Sequence, residues 1–261
     1  MRLPAALLLL CAPRASGDAP VELVAQLRAA QPDSPLLESM KDDVADVPAV
    51  ELEAARASLG EEITRGFHGT TTVAFQYEGG TVCCVDSRAS LGTFVGSSAE
   101  KIIPISKRVL GTMAGSAADC VSWLRLLSAL SKLHELENGA PLRASQAART
   151  LGSLLRRRRG DDYGVGTMVF DSDALYYVDG EGYELKGSAF AVGSGSVYAY
   201  PALRDTDGAD AAAALKIAER AVATAAVRDA YSGGLLNLCV AEKNAAGWRR
   251  LVRRQSPISL S

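Results

Sequence analysis

A threonine, an aspartate and a lysine are the residues of this chain whose types could do hydrolytic chemistry together. The sequence has two histidines, His68 and His134. Neither has an obvious partner, so a Ser-His-Asp triad has nothing to be built from. A hydrolase would need another base. A threonine made N-terminal by cleavage supplies one, because its α-amino group, with a pKa of about 7.7–8, can take the hydroxyl proton. Gly69-Thr70-Thr71-Thr72 offers such a residue in Thr70. The plain alternative for this run is the start of a strand, since threonine is β-branched. Two features favour chemistry. Gly69 lets the backbone bend enough for the Thr70 hydroxyl to reach the Gly69 carbonyl. Asp86-Ser87-Arg88 follows at a distance that returns a carboxylate and a basic group to the start of a hairpin.

Lys101 opens Lys-Ile-Ile-Pro-Ile. Alone it reads as an exposed charge. Set beside the Thr70 hydroxyl and paired with Asp86, it would lower the hydroxyl pKa and help relay the proton. Gly115, expected to head a helix, is either an ordinary helix-start glycine or a backbone N–H placed to hold an oxyanion.

The elements that must position these groups are legible from periodicity. Thr71, Val73, Phe75 and Tyr77 alternate as in a strand, Gly79-Gly80 marks a turn, and Thr81 to Val85 forms a second strand buried on both faces. Apolar residues from Ser116 to Leu136 recur three or four apart and predict a long helix, stopped at Gly139-Ala-Pro141. A second helix is expected over Ala144 to Arg158. Strands follow at Gly164 to Phe170, Ala174 to Val178 and Ser188 to Val192, with Asp171-Ser-Asp173 as a turn and Gly193-Ser-Gly-Ser196 as a loop. An alanine-rich helix spans Asp210 to Val227, and strands at Leu235 to Glu242 and Trp248 to Val252 complete the order. Strands, two helices, strands, helix, strands give an α+β fold in which two antiparallel sheets carry helices outside them.

Composition narrows the classes. Of the 261 residues, 48% are apolar and 22% charged, the balance of a globular chain, and a net charge of −2 provides no field toward nucleic acid or an anionic membrane. Five cysteines lack CxxC spacing, which argues against a zinc site and against a disulfide framework. No metal or cofactor is expected. Arg2, Leu3 to Leu10 and Cys11 to Gly17 resemble a short signal peptide, but the apolar run is too short to span a bilayer. The run Arg156 to Arg159 reads as a solvated or subunit-contact face at a helix end.

Five stretches in order resemble the beta subunits of the 20S proteasome: Gly-Thr-Thr-Thr-Val-Ala-Phe at 69–75, Asp-Ser-Arg-Ala at 86–89, Gly-Thr-Met-Ala-Gly-Ser-Ala-Ala-Asp-Cys at 111–120, Val-Gly-Ser-Gly-Ser-Val-Tyr-Ala-Tyr at 192–200 and Arg-Asp-Ala-Tyr-Ser-Gly-Gly at 228–234. Met113 and Tyr176-Tyr177-Val178-Asp179 are most similar to the chymotrypsin-like branch of that family. The resemblance implies the four-layer αββα sandwich of N-terminal-nucleophile hydrolases. It implies a propeptide over residues 1–69, poorly ordered and removed by autocatalytic cleavage between Gly69 and Thr70, and a catalytic domain over 70–261. Thr70 would be the nucleophile, Asp86 and Lys101 its charged partners, Ser194, Asp229 and Ser232 the support of its amine, and Gly115 N–H the oxyanion donor. Ala89, Ser90, Ile103, Met113 and Ala117 would line an apolar slot for large side chains before the scissile bond. Other alpha and beta subunits in stacked seven-membered rings would be its partners, unfolded polypeptides its substrates, and cytoplasm and nucleus its location. An inactive ring subunit and a stand-alone amidase are the competing readings. Two stretches depart from the family pattern: Gly92 to Lys101 is one residue shorter, and Tyr200-Pro201 replaces Tyr-Gly.

Overall fold

The computed structural model describes residues 69–91, 94–96, 99–159, 164–243 and 248–254, all within one unit spanning residues 62–261. The signal-like start, Cys11, His68 and all of the expected propeptide except Gly69 lie outside the described residues. Strand β1 (Thr72–Tyr77) and strand β2 (Gly80–Asp86) form the expected hairpin, with Thr72 opposite Val85 and Tyr77 opposite Gly80. They are the inner strands of the first sheet. Strand β11 (Ala189–Val192) flanks β1, while β12 (Leu236–Glu242) and β13 (Trp248–Arg254) extend the sheet beyond β2.

The second sheet holds β5 (Ile102–Pro104), β6 (Leu110–Thr112), β8 (Val165–Phe170), β9 (Leu175–Asp179) and β10 (Glu184–Gly187), and β7 (Ala114–Gly115) also pairs with β8. A separate hairpin joins β3 (Ala89–Leu91) to β4 (Phe94–Gly96). The pairings are antiparallel throughout.

Side-chain alternation divides the hairpin residues between two cores. Ala74, Cys83 and Val85 face the second sheet and pack with Leu110, Met168 and Phe170. Val73, Phe75, Val82 and Cys84 face the other way. There they meet Ala214, Ala218, Ala221, Val222 and Ala225 of helix α4 (Ala211–Arg228), whose small side chains sit three and four residues apart. Helices α1 (Ala117–Asn138) and α2 (Ala144–Arg157) cover the outer face of the second sheet, giving four layers in the order helix, sheet, sheet, helix. Because β1 lies between two layers, polar Thr72 is as buried as Val73.

Helix ends follow local chemistry. Ser116 caps α1 through the Asp119 N–H, and Gly139, in the left-handed region at φ 67°, closes it by donating to Glu135 O. Asp171 of the β8–β9 turn accepts the Ala144 N–H at 2.8 Å and so caps α2 from outside its own segment. Asp210 caps α4, and Asp229 is the residue at which that helix ends.

Several short elements carried no sequence signal. Strands β3 to β7 have two or three residues each, too few for a period to show. The loop expected after Gly193 contains the one-turn helix α3 (Ser196–Ala199) and a 3₁₀ turn over Tyr200–Asp205. Gly115 does not head α1. It lies in β7, and the N-cap is the next residue, Ser116. Two members of the largely exposed arginine run also pair within the chain. Arg156 bonds Gly182 O and Glu184, and Arg159 pairs with Glu181 at 2.8 Å while lying 5.1 Å from the Tyr183 ring centroid.

Candidate active site

The open end of the β1–β2 hairpin holds an unusual concentration of buried polar side chains. Thr70, Thr71, Asp86, Ser87, Lys101 and Ser232 are all nearly or wholly removed from solvent. Asp86 ends β2 opposite Thr71: its N–H donates to Thr71 O at 3.1 Å, and its Oδ1 accepts the Thr71 N–H at 2.9 Å. The same Oδ1 accepts Lys101 Nζ at 2.7 Å. Oδ2 takes the N–H groups of Gly233 at 2.8 Å and Arg88 at 3.2 Å. Lys101, which alone reads as an exposed charge, is 2% exposed because the segment leading into β5 runs inward beside this carboxylate.

Lys101 reaches further. Its ammonium also donates to Gly69 O at 3.2 Å, and the Thr70 hydroxyl lies 2.5 Å from that same oxygen. Threonine hydroxyl, lysine ammonium and the carbonyl of the bond before Thr70 thus meet at one atom. Gly69 has φ 133°, and a Cβ there would stand 2.4 Å from Tyr231 Cβ. Only glycine fits that position without moving its neighbours.

A second polar arm approaches the Thr70 nitrogen, which donates to Ser194 Oγ at 3.2 Å. Ser194 Oγ donates to Asp229 Oδ2 at 2.6 Å, and Ser232 Oγ donates to the same oxygen at 2.6 Å. The end of α4 places Asp229, and the Gly193–Gly195 turn after β11 places Ser194. Arg88 braces the intervening loop by donating to Ala230 O at 3.0 Å.

Electrostatics follow from burial. Removal from water pushes the Asp86 carboxyl up from its ordinary value and the Lys101 ammonium down from its own, and each charge opposes the other's shift. Four donors on its two oxygens oppose the desolvation and favour the ionised carboxylate. Lys101 is the group poised to titrate below the ordinary lysine range.

Gly115 is set by strand pairing. Ser116 N–H donates to Gly164 O at 2.7 Å, and hydrogen-bonding residues alternate along an antiparallel strand. The Gly115 N–H therefore points to the opposite edge, the side on which Met113 N–H donates to Lys101 O at 3.0 Å. Met113 itself is buried, Ile103 is half-buried opposite Gly111, and Ala89 is half-buried in β3. Ser90 and Ala117 lie in β3 and α1, but their side chains are outside the described residues.

Three partners in this network were not singled out from sequence: Thr71, Tyr231 and Gly233. Only the threonine run hinted at the first. His134 bonds Asn138 on α1, far in sequence from these groups. It also lines a cleft of about 410 Å³ with Arg108, Pro141, Asp171 and Glu242. That cleft carries none of the groups above, and its Asp171 is already engaged as the cap of α2. Among the described residues no group of histidine, cysteine, aspartate and glutamate could hold a metal ion.

Two packed antiparallel sheets between helices, with a threonine at the open end of the inner hairpin, define the N-terminal-nucleophile class of fold. The family model of proteasome subunits matches residues 67–241. The chain is 44% identical over 191 residues to proteasome subunit beta type-5 of Gallus gallus, covering 70% of this chain and 74% of that one. It is 40% identical over 224 residues to proteasome subunit beta type-5-A of Arabidopsis thaliana, covering 81% of each. It is also 39% identical over 199 residues to proteasome subunit beta type-8 of Canis lupus familiaris, covering 69% of this chain and 70% of that one. The chain belongs to the proteasome subunit family.

Proposed function

We propose that this chain is the precursor of a chymotrypsin-like threonine endopeptidase subunit of the 20S proteasome. The observation that carries the proposal is the meeting of the Thr70 hydroxyl and the Lys101 ammonium on Gly69 O. In the first step Thr70 Oγ bonds to the Gly69 carbonyl carbon, and Lys101 steadies the charge that develops on the oxygen. The Gly69–Thr70 C–N bond then breaks, the Thr70 nitrogen takes the proton that the hydroxyl gives up, and an ester joins Gly69 to Thr70 Oγ. Water hydrolyses the ester. Residues 1–69 leave as a propeptide, and Thr70 becomes the first residue of the catalytic domain over 70–261.

The freed amine then serves as base for the neighbouring hydroxyl. Asp86 holds Lys101 in its charged form beside that hydroxyl, while Ser194, Asp229 and Ser232 orient the amine. Thr70 Oγ attacks a substrate carbonyl, and the peptide nitrogen leaves with a proton. Water then releases the acyl group from Thr70. The direction of the Gly115 N–H supports its role as oxyanion donor for peptide substrates. Ala89, Ser90, Ile103, Met113 and Ala117 are proposed to line the slot for large apolar side chains, each gaining about 1.5–3 kcal/mol on burial. Unfolded polypeptides are the substrates, in ubiquitin-dependent and other protein degradation.

The family membership and the similarity to beta type-5 subunits support assembly with other alpha and beta subunits in stacked rings. Cytoplasm and nucleus are the proposed location; among the described residues no helix is long and apolar enough to cross a membrane. Mass spectrometry of the chain recovered from assembled particles tests the proposal. A mature N-terminus at Thr70 is expected, and any other terminus overturns it.

A further inference from the structure

Thr71, one residue after the proposed nucleophile, is wholly buried, and its N–H, carbonyl and hydroxyl are all engaged. The N–H and carbonyl both bind Asp86. The hydroxyl lies 2.7 Å from Ser232 Oγ, and the direction of that bond follows from counting protons. A serine hydroxyl has one proton to donate. Ser232 gives its own to Asp229 Oδ2 at 2.6 Å, a carboxylate oxygen that only accepts. Thr71 is therefore the donor and Ser232 the acceptor. The space around this bond is closed. A Cβ on Gly195 would stand 2.0 Å from Thr71 Oγ1 and 3.0 Å from Ser232 Oγ, so glycine at 195 makes room for the hydroxyl.

We propose that Thr71 is a positioning residue that couples the two charged arms of the site. Its backbone is tied to the Asp86–Lys101 arm, and its hydroxyl donates into the Ser232–Asp229–Ser194 arm that ends at the Thr70 nitrogen. The inference rests on the threonine-protease reading above. Without the hydroxyl, Ser232 loses the donor that fixes its oxygen, and the Asp229–Ser194 end loosens around the Thr70 nitrogen. Thr71 is shut off from solvent and lines no substrate surface. Its loss therefore acts on turnover and not on substrate binding.

The test uses assembled particles carrying Thr71→Val, Thr71→Ser, Ser232→Ala or the Thr71→Val/Ser232→Ala pair. The readouts are kcat and KM on a fluorogenic peptide with a large apolar residue before the scissile bond, with the N-terminus of each chain read by mass spectrometry. Valine keeps the threonine shape and removes the donor. Thr71→Val is expected to lower kcat about tenfold, the effect of one hydrogen bond, with KM within about twofold of the parent. Thr71→Ser restores kcat. The paired variant is no slower than Ser232→Ala, since the Thr71 hydroxyl acts through Ser232. A parent-like kcat for Thr71→Val, or losses that add in the pair, overturns the proposal. If Thr71→Val does not assemble, Thr71→Ala takes its place. Failure of both to assemble also overturns it, because the hydroxyl is given no part in assembly. A parent particle whose chain does not begin at Thr70 removes the protease reading itself, an outcome distinct from any of these.

Discussion

The two ends of the β1–β2 hairpin share the same strands and differ in everything else. At the turn end, Glu78 and Gly79 are exposed, and Lys243 closes the turn by donating to Gly79 O at 2.9 Å and to Glu78 O at 3.2 Å. At the open end, an aspartate and a lysine are buried as a pair, with backbone amide donors on the carboxylate. A hairpin does not require this. Two desolvated charges cost free energy that their attraction offsets only when the geometry is good and the remaining donors are satisfied. The same backbone carries a turn at one end and an expensive polar cluster at the other, and that cost is a reason for proposing the polar end as the working one.

Substitutions at the two ends sharpen that contrast. The largest effect is expected from Thr70→Ala, which should leave the fold intact while reducing peptidase activity to background and leaving the Gly69–Thr70 bond uncut. An intact-mass measurement and a peptide assay on assembled particles read both outcomes.

Lys101→Ala should come next. It removes the ammonium from the Thr70 hydroxyl and strands Asp86 as a buried charge. Activity is expected to fall by about 10²–10⁴-fold, and unfolding free energy by about 3–5 kcal/mol. Normal processing and peptide cleavage by this variant would falsify the placement of Lys101. The pH dependence carries the same signature. Burial lowers the Lys101 pKa below its ordinary value of 10.5, so the ammonium is lost before that pH is reached. The alkaline limb of kcat should accordingly fall below pH 10.5. This group's contribution to stability moves oppositely. Between the lowered folded value and 10.5 the unfolded chain holds the extra proton, so stability rises with pH across that window.

Gly69→Ala should be milder and confined to processing. The residue must hold φ 133° with its new methyl against Tyr231, and strain of about 1–3 kcal/mol corresponds to processing slower by about tenfold to a hundredfold. Chains that do mature should have parent activity, since residue 69 is gone from them. The smallest effect belongs to the other end of the hairpin: Glu78→Ala should change unfolding free energy by no more than about 0.5 kcal/mol and leave kcat unchanged.

Most long elements are legible in the sequence. The helices at 117–138, 144–157 and 211–228 and the strands at 72–77, 80–86, 165–170 and 236–242 lie within a few residues of their periodic signals. Strands of two or three residues escaped because a period needs repetition. Gly115 was misplaced because a glycine before a cap and a glycine inside a two-residue strand look alike in one dimension. The burial of Thr72 escaped for another reason: alternation marks two faces but does not say that both are covered.

The sequence by itself determined the chemistry available to this protein: almost no histidine, no CxxC spacing, a glycine–threonine junction, and a carboxylate and an amine at spacings a hairpin can bring together. Residue types and local periods fix these things because they depend only on neighbours along the chain. The tertiary structure decided which of the candidate groups meet. Lys101 could have been a surface charge, Asp229 and Ser194 stand 35 residues apart, and Ser232 reaches the hydroxyl of Thr71 across a separation of 161. The Lys101 and Thr71–Ser232 contacts exist because the hairpin and the end of α4 converge on one buried point, where a polar group must find a partner or carry its full desolvation cost, and the Ser194–Asp229 bond stands at the solvent edge of that point.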